Sequence, residues 1–239
     1  MTLATGSLAM LQFADGLFPA GGFAHSFGLE TYAQDGRVRD RDDLMAFITA
    51  HLEGAAGPAD AVAVALAVRQ AAHGDVAGWI ALDEHLDALK AVPEFRAASR
   101  QMGRQTLRVA AALESERPDA AAAEWAFLTT LSRMVDEGLA PGHHAPVFGA
   151  ALGSAGVDAE SAAAAYLYST TALLVGAGLR LLALGQLDGQ RVLAASRPII
   201  TRLASAAAGA EIGDIWSFTP GLELAGLRHA TLDARLFRS

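Results

Sequence analysis

Hydrophobic residues recur at helical spacing along most of the chain, and alternating, strand-like runs are few. One apolar stripe follows Asp40 at the spacing that a helix buries on one face, and it consists of Leu44, Phe47, Ile48 and Leu52. Asp40 itself stands where a helix N-cap is expected. The pattern therefore predicts a capped helix that begins directly after Asp40.

Proline and aspartate residues separate the helical runs in the rest of the first half of the chain. Residues suited to a first turn or a cap precede four further helical runs, and these residues are Pro58, Asp75, Pro93 and Pro118. The predicted helices reach about His73, Val92, Ser115 and Asp136. Four helices are therefore expected between residues 58 and 136.

Two long helical patterns follow in the second half. Asp158 opens a helix predicted to reach about Leu184, and Asp188 opens another that contains Pro198. Pro198 lacks a backbone N–H and is expected to kink that helix. With no stretch resembling a linker, the pattern predicts an all-α protein: one domain over residues 1–239, a packed bundle of about ten helices.

The segment from Ser161 to Leu179 carries no charge for 19 residues, which is roughly the length needed to cross a bilayer. It is built largely from Ala, Ser, Thr and Gly rather than from the residues that drive membrane insertion. The content favours the central core helix of a protein without a membrane span, and a membrane-associated protein stays as an alternative. Gly176 and Gly178 are expected to permit close helix contact.

Composition narrows the function classes. The 52% hydrophobic content suffices for a buried core, and the net charge of −8 opposes nucleic-acid binding, although Arg96, Arg100, Arg104 and Arg108 form a short basic cluster. The absence of cysteine excludes disulfides and thiolate sites. No positive charge precedes Arg37, so no secretory signal is expected and the cytoplasm is the predicted compartment.

Catalytic patterns are weak. Asp40, Asp42 and Asp43 suit a helix start better than a magnesium site, because no second carboxylate cluster follows. The adjacent His143 and His144 would point about 100° apart on a helix, and neither an HExxH motif nor a P-loop is present. No catalytic residue, resident metal or cofactor is expected, although imidazole suits nickel and a histidine could line a transient nickel route.

One run stands out: Leu17-Phe18-Pro19-Ala20-Gly21-Gly22-Phe23-Ala24-His25-Ser26-Phe27-Gly28-Leu29-Glu30. With Met10 to Asp15 before it, this run resembles the N-terminal motif of the UreF family of urease accessory proteins. Three further landmarks occur in the family's order: Gln101-Met102-Gly103, Leu184-Gly185-Gln186, and Arg228-His229 with Arg235-Leu236-Phe237-Arg238-Ser239. The resemblance spans nearly the whole chain, with Ala183 where the family commonly has proline.

The resemblance implies an all-α, usually dimeric protein that joins the scaffold protein UreD (also called UreH) and the GTPase UreG, and that helps to deliver nickel to apo-urease. It implies a role in bridging, and possible regulation of the GTPase, without catalytic residues. The residues that it marks as partner-binding are Gly21, Gly22, Phe23, His25, Ser26, Glu30, Gln101, Gly103, Gln186, Arg228, His229, Arg235, Leu236, Phe237 and Arg238.

The segment 210–239 has two interpretations. Arginines alternate with apolar residues near its end, a composition suited to a segment that becomes ordered on a partner, with Arg235 and Arg238 as hydrogen-bond donors and Leu236 and Phe237 as buried area. The alternative is that the segment packs on its own core. For the whole chain, the alternative to an accessory protein is a magnesium-dependent helical enzyme that uses the Asp40, Asp42 and Asp43 cluster.

Overall fold

The computed structural model describes residues 5–115 and 122–239, and all regular elements in these ranges are helices. The α-helices are α1 (Thr5–Ala14), α2 (Leu29–Gln34), α3 (Arg41–His51), α4 (Val62–His73), α5 (Val76–Leu89), α6 (Pro93–Ser115), α7 (Ala122–Asp136), α8 (His144–Ser154), α9 (Ala159–Leu181), α10 (Gln186–Ala208) and α11 (Pro220–His229). A π-helical segment, Leu52–Ala61, joins α3 to α4, and short 3-10 turns span Gly22–Ala24 and Ile212–Asp214. The predicted all-α bundle of about ten helices is confirmed.

The core is built around α4, α8 and α9, which are rich in small residues. Helix α4 buries every residue from Val62 to Val68, and α8 buries every residue from His144 to Leu152. Where these two helices meet, a Cβ added at Gly153 would lie only 2.9 Å from the Cα atom of Val68. Small residues therefore allow the central helices to approach closely.

Three predicted caps are confirmed. The Asp40 carboxylate accepts hydrogen bonds from the amides of Asp42 and Asp43, that of Asp75 from Gly78, and that of Asp158 from Ser161. The ends of two helices were predicted too late, because α5 ends at Leu89 and α9 at Leu181.

Two predicted helix starts are wrong, and one cannot be compared. Pro58 lies inside the π-helical segment rather than in a first turn. Helix α10 begins at Gln186, and Asp188 is its third residue, whose carboxylate accepts a hydrogen bond from the Gly185 amide. Pro198 lies inside α10, as predicted. Pro118 lies outside the described residues, and α7 ends at Asp136 as predicted.

The π-helical segment explains how Pro58 fits inside a helix. A π-helix pairs each carbonyl with the N–H five residues later, and Pro58 has no N–H to donate. The Gly54 carbonyl accepts a hydrogen bond from the Phe218 amide at 2.8 Å, and the Pro58 carbonyl accepts one from Trp216 at 3.3 Å. The strand-like stretch before α11 thus satisfies carbonyl groups that the irregular helix leaves free.

Helix α9 is the one described helix that is long and apolar enough to cross a membrane by length and composition. In the fold it packs against α10, α4 and the π-helical segment, and about half of its apolar stretch is buried. A Cβ at Gly178 would lie 2.7 Å from Leu44 of α3, so the expected close contact is confirmed there. Gly176 has no atom within 4 Å of such a Cβ, so its contact is not confirmed.

Candidate functional site

The glycine-rich run forms a tight turn that leads into α2. Gly21 and Gly28 have φ values of +84° and +88°, which side-chain-bearing residues rarely adopt. Gly22 lies against the core, where an added Cβ would be 2.7 Å from a Leu173 methyl group and 3.2 Å from Met102. The glycines are therefore required by backbone shape and close approach.

The turn holds the end of the described chain. The main-chain oxygen of Ser239 accepts hydrogen bonds from the Ser26 amide at 2.6 Å and from the Ser26 hydroxyl at 2.8 Å. The Ser239 hydroxyl lies 2.8 Å from Nδ1 of His25, and the Arg238 amide donates to the Ala24 carbonyl. We call this assembly the N/C joint, defined as residues 23–30 together with residues 228–239.

A buried charged cluster lies at the centre of the N/C joint. The Glu30 carboxylate accepts hydrogen bonds from the amides of Leu236 at 2.6 Å and Phe237 at 3.0 Å, and it contacts Nε2 of His229 at 3.0 Å. On the other side of the ring, Nδ1 of His229 lies 2.7 Å from Glu94, which also binds Arg235. Glu30 and His229 are 2% and 0% exposed, so this cluster is an integral part of the core.

Arg180 lies against two aromatic rings of the N/C joint. The guanidinium carbon of Arg180, from α9, lies 4.0 Å from the ring centre of Phe23 and 4.2 Å from that of Phe237. Arg180 also donates a hydrogen bond to the Phe23 carbonyl at 2.7 Å. A cation between two rings stabilises both, so Arg180 links the two halves of the joint to the core helix.

The structure brings together most of the residues that the resemblance marked. Twelve of the fifteen lie in or beside the N/C joint, and the exceptions are Gln101, Gly103 and Gln186. Gln101 and Gln186 are exposed, on α6 and at the start of α10. Gly103 has a packing role, because an added Cβ would lie 2.8 Å from the His144 amide nitrogen.

The segment 210–239 is ordered on its own chain, in agreement with the second interpretation given above. Phe237, predicted to offer buried area to a partner, is 4% exposed within its own fold. The alternate residues Leu236 and Arg238 are exposed. In this arrangement only the outward-facing residues of the tail are accessible to a partner.

Two cavities adjoin the Gly22 turn. One, of about 100 Å³, has His51, Asp60, Lys90 and Tyr166 among its lining residues, and the other, of about 170 Å³, opens beside Asp15 and Arg180. Both cavities are bordered by Met102, His144, Ser169 and Leu173. The two cavities therefore share wall residues, of which Met102 and Leu173 also lie against Gly22.

His144 is the titratable residue that borders both cavities. Its side chain is largely buried, and its ring packs against those of Phe148 and Tyr166. Burial lowers the pKa of His144 to about 4, so the ring is neutral at pH 7 and carries a free lone pair. Burial likewise lowers the pKa of His51 to about 4.

Lys90 is the chain's only lysine, and its place in the cavity wall was not predicted from the sequence. Its ammonium group lies 2.8 Å from the Asp60 carboxylate, and both side chains are mostly buried. All other lysine or arginine positions are arginine, so the single lysine is a sequence signal that could have identified this residue. Glu94 and Arg180 were also missed, because nothing in their local sequence marks their distant partners.

As predicted, the side chains of His143 and His144 do not converge on one point. Its Nδ1 lies 3.0 Å from the Ser99 hydroxyl and its Nε2 lies 2.9 Å from Asp87, which also pairs with Arg100. This connectivity resembles a nucleophile, a base and an orienting acid. Burial lowers the pKa of His143 to about 4, however, which makes it a weak base at neutral pH. The arrangement instead fixes the start of α8.

The Asp40 cluster is explained by helix capping. The Asp40 carboxylate accepts hydrogen bonds from two backbone amides. Asp42 forms an ion pair with Arg41, and Asp43 forms one with Arg39. Among residues 5–115 and 122–239, no group of three or more His, Asp or Glu side chains is arranged to hold a metal ion. The magnesium-enzyme alternative therefore has no carboxylate cage in the described part of the chain.

Comparisons with a family model and with individual proteins identify the same family. The family model described as UreF matches residues 38–197. The chain is 31% identical over 231 residues to the urease accessory protein UreF of Trichodesmium erythraeum, covering 96% of this chain and 95% of that protein. The proteins of the same name from Corynebacterium efficiens and Bradyrhizobium sp. are 32% and 36% identical, over 100% and 93% of this chain and 99% and 87% of theirs.

Proposed function

Because the chain belongs to the UreF family of urease accessory proteins, we propose that it acts in the cytoplasm as a non-catalytic helper in urease maturation. In this proposal it forms a homodimer and bridges the UreD/UreH scaffold and the GTPase UreG on the way to apo-urease. It regulates the GTPase through contacts rather than through chemistry of its own.

The N/C joint is the observation that carries this proposal. Glu30, His229 and Phe237 hold the joint together from inside, while Phe23 and Leu236 remain 76% and 54% exposed. Arg235 and Arg238 are exposed beside them. Aromatic and arginine side chains are the residue types that dominate interface energies, so a rigid internal cluster presents a surface suited to protein binding.

Co-elution tests the bridging role. The protein is co-expressed with the UreD and UreG proteins of the same organism and analysed by size exclusion with light scattering. A complex is expected with the unaltered chain and is expected to be lost with Leu236→Asp. Leu139→Asp is the matched control, since Leu139 is 56% exposed in the loop between α7 and α8 and is not among the residues that the resemblance marks. Loss of the complex in both variants, or in neither, would count against the N/C joint as the docking surface.

Point variants are better suited to this test than a truncation. Removing residues 236–239 would take away two amides that Glu30 binds and the buried ring of Phe237. A truncated protein would therefore lose part of its own core as well as any partner contact, and the two effects would not be separable.

A second proposal concerns the cargo. The two cavities that His144 borders and its neutral ring support a passage for Ni²⁺ through this chain, because imidazole nitrogen is a favourable nickel ligand. His144→Phe is expected to lower the rate at which nickel enters urease, measured as metal per urease active site, without loss of partner binding. His73→Phe is the control, since His73 is exposed on α4. An unchanged rate for His144→Phe would overturn this proposal.

A further inference from the structure

Irregular backbone surrounds the cavity of about 100 Å³, which we call the Lys90 cavity after the lysine in its wall. Its wall includes Ala55, Ala59 and Asp60 from the π-helical segment, and such irregular helices occur frequently at functional sites. Phe27, another wall residue, has a φ of +50°, which residues with side chains rarely adopt. Residues held in this conformation cluster at ligand sites. The backbone around the cavity is therefore irregular in the way that binding sites often are.

The Lys90 cavity also gathers ionisable groups. The Lys90 ammonium group and the Asp60 carboxylate form a mostly buried ion pair at 2.8 Å. His51 and His144 lie in the same wall, and burial lowers the pKa of each to about 4. Strongly perturbed ionisable groups in an apolar cavity are typical of functional sites. The side chains and the backbone thus both mark the cavity as a candidate ligand site.

Aromatic side chains in the wall indicate what kind of ligand fits. Phe27, Phe95 and Tyr166 line the cavity, and the rings of Phe27 and Phe95 meet edge to face with centres 5.7 Å apart. The face of an aromatic ring is electron-rich and attracts cations. The wall therefore suits a ligand that combines a positive charge with apolar groups.

The charged groups of the wall favour a cation as well. Asp60 is balanced by Lys90, which leaves the Glu223 carboxylate as excess negative charge among the described wall residues. Glu223 lies near the start of α11 and is partly buried. His51 and His144 are neutral at pH 7, so they do not repel a positive ligand. A cation in this cavity would be attracted to Glu223, whereas an anion would be repelled by it.

The size of the cavity limits the ligand. An apolar cavity of about 150 Å³ accommodates benzene. The Lys90 cavity, at about 100 Å³, therefore has room for roughly five heavy atoms. Ala91, a wall residue between α5 and α6, is exposed, so the cavity is not sealed from solvent. The ligand is a small molecule rather than a nucleotide or a peptide.

We propose that the Lys90 cavity binds a small organic cation, a short alkylammonium or quaternary ammonium ion. Its apolar groups lie against the rings of Phe27, Phe95 and Tyr166, and its charge is balanced by Glu223. This role goes beyond the proposed function, because it requires neither a partner protein nor nickel.

Titration of the isolated full-length chain with tetramethylammonium tests the site. The methyl group of Met102, another wall residue, reports binding by NMR when the methionine methyl groups are labelled, and Met134 on α7 is the internal control. At constant ionic strength, a saturable shift of the Met102 signal is expected while the Met134 signal stays in place. Neutral tert-butanol matches the probe in size, and its affinity is expected to be at least about tenfold weaker.

Two results of this titration would overturn the proposal. One is a Met102 signal whose shift does not saturate by about 0.1 M tetramethylammonium, since binding would then be too weak to be specific. The other is equal affinity for tetramethylammonium and tert-butanol, because the cavity would then select for size without regard to charge.

Two variants locate the charge that holds the cation. Glu223→Gln keeps the size of the side chain and is expected to weaken tetramethylammonium binding about tenfold. Asp15→Asn is the matched control, because Asp15 borders the second cavity, which Met102 also borders, and its loss is expected to leave the affinity unchanged. Unchanged affinity in Glu223→Gln would overturn the proposal. Weaker binding in Asp15→Asn alone would place the cation in the second cavity and would overturn it too.

The cation site and the proposed function fail separately. No partner protein and no metal is present in the titration, so its failure would leave the docking and nickel proposals standing. Loss of docking or of nickel transfer in the tests above would likewise leave the cation site standing.

Discussion

The Glu30 carboxylate lies 3.0 Å from Nε2 of His229, although the two residues are 199 positions apart in the chain. The same carboxylate binds the amides of Leu236 and Phe237. One buried acid thus fixes the terminal segment against the glycine-rich turn. The shape of the outward-facing surface depends on this internal contact.

Replacing Glu30 should therefore destabilise the whole protein. Glu30→Gln retains the size of the side chain but removes the charge that three donors share, and breaking a buried pair of this kind costs about 3 kcal/mol. Glu53→Gln is the comparison, since Glu53 is 47% exposed in its pair with Arg202 and its loss should cost below about 1 kcal/mol. Urea denaturation at pH 7 measures both values. Equal losses would contradict the central role of Glu30.

Two glycines of α9 should respond to alanine in opposite directions. At Gly178 the new methyl group would lie 2.7 Å from Leu44, which is fully buried, so Gly178→Ala should cost about 1–3 kcal/mol through overpacking. At Gly176 there is open space, so Gly176→Ala should stabilise the helix by up to about 1 kcal/mol. Thermal and urea unfolding give the sign of each change. Destabilisation of similar size at both positions would show that α9 does not pack on α3 as described.

Local signals in the sequence predicted much of the fold, whereas contacts between distant residues were missed. The helical spacing and the caps at Asp40, Asp75 and Asp158 are local signals, and they placed most helices correctly. The π-helical segment was missed because its stability comes from Trp216 and Phe218, far along the chain. Glu94 and Arg180 were missed for the same reason, since their partners are set by tertiary packing. The residues of the N/C joint were found through resemblance, and their mutual contacts were not predictable from spacing.

Acidification should destabilise the fold between pH 7 and 5. His51, His143 and His144 have pKa values lowered to about 4 by burial, whereas in the unfolded chain they take up protons near pH 6.5. Asp83 acts in the opposite sense, because burial raises its pKa to about 6 and the unfolded chain gives up that proton. Near pH 5 unfolding therefore binds about two net protons, and the free energy of unfolding should fall by ~2.7 kcal/mol per pH unit there.

Denaturation at a series of pH values measures this slope. His144→Gln removes one of the three titrating histidines, so its slope should fall to about half of the original, which corresponds to about one net proton. A protein whose stability rises on acidification, or a His144→Gln variant with the original slope, would show that His144 does not remain neutral in the fold.

The central claim is that the outward side of the N/C joint binds a partner, and the affinity for the UreD/UreH scaffold tests it most directly. Titration calorimetry on Arg238→Ala should show binding weakened by about 1–3 kcal/mol, the range for interface residues that matter, with unfolding unchanged. Arg197→Ala, at an exposed arginine of α10, should bind as the unaltered protein does. Equal affinity of Arg238→Ala and Arg197→Ala for the scaffold would contradict the account.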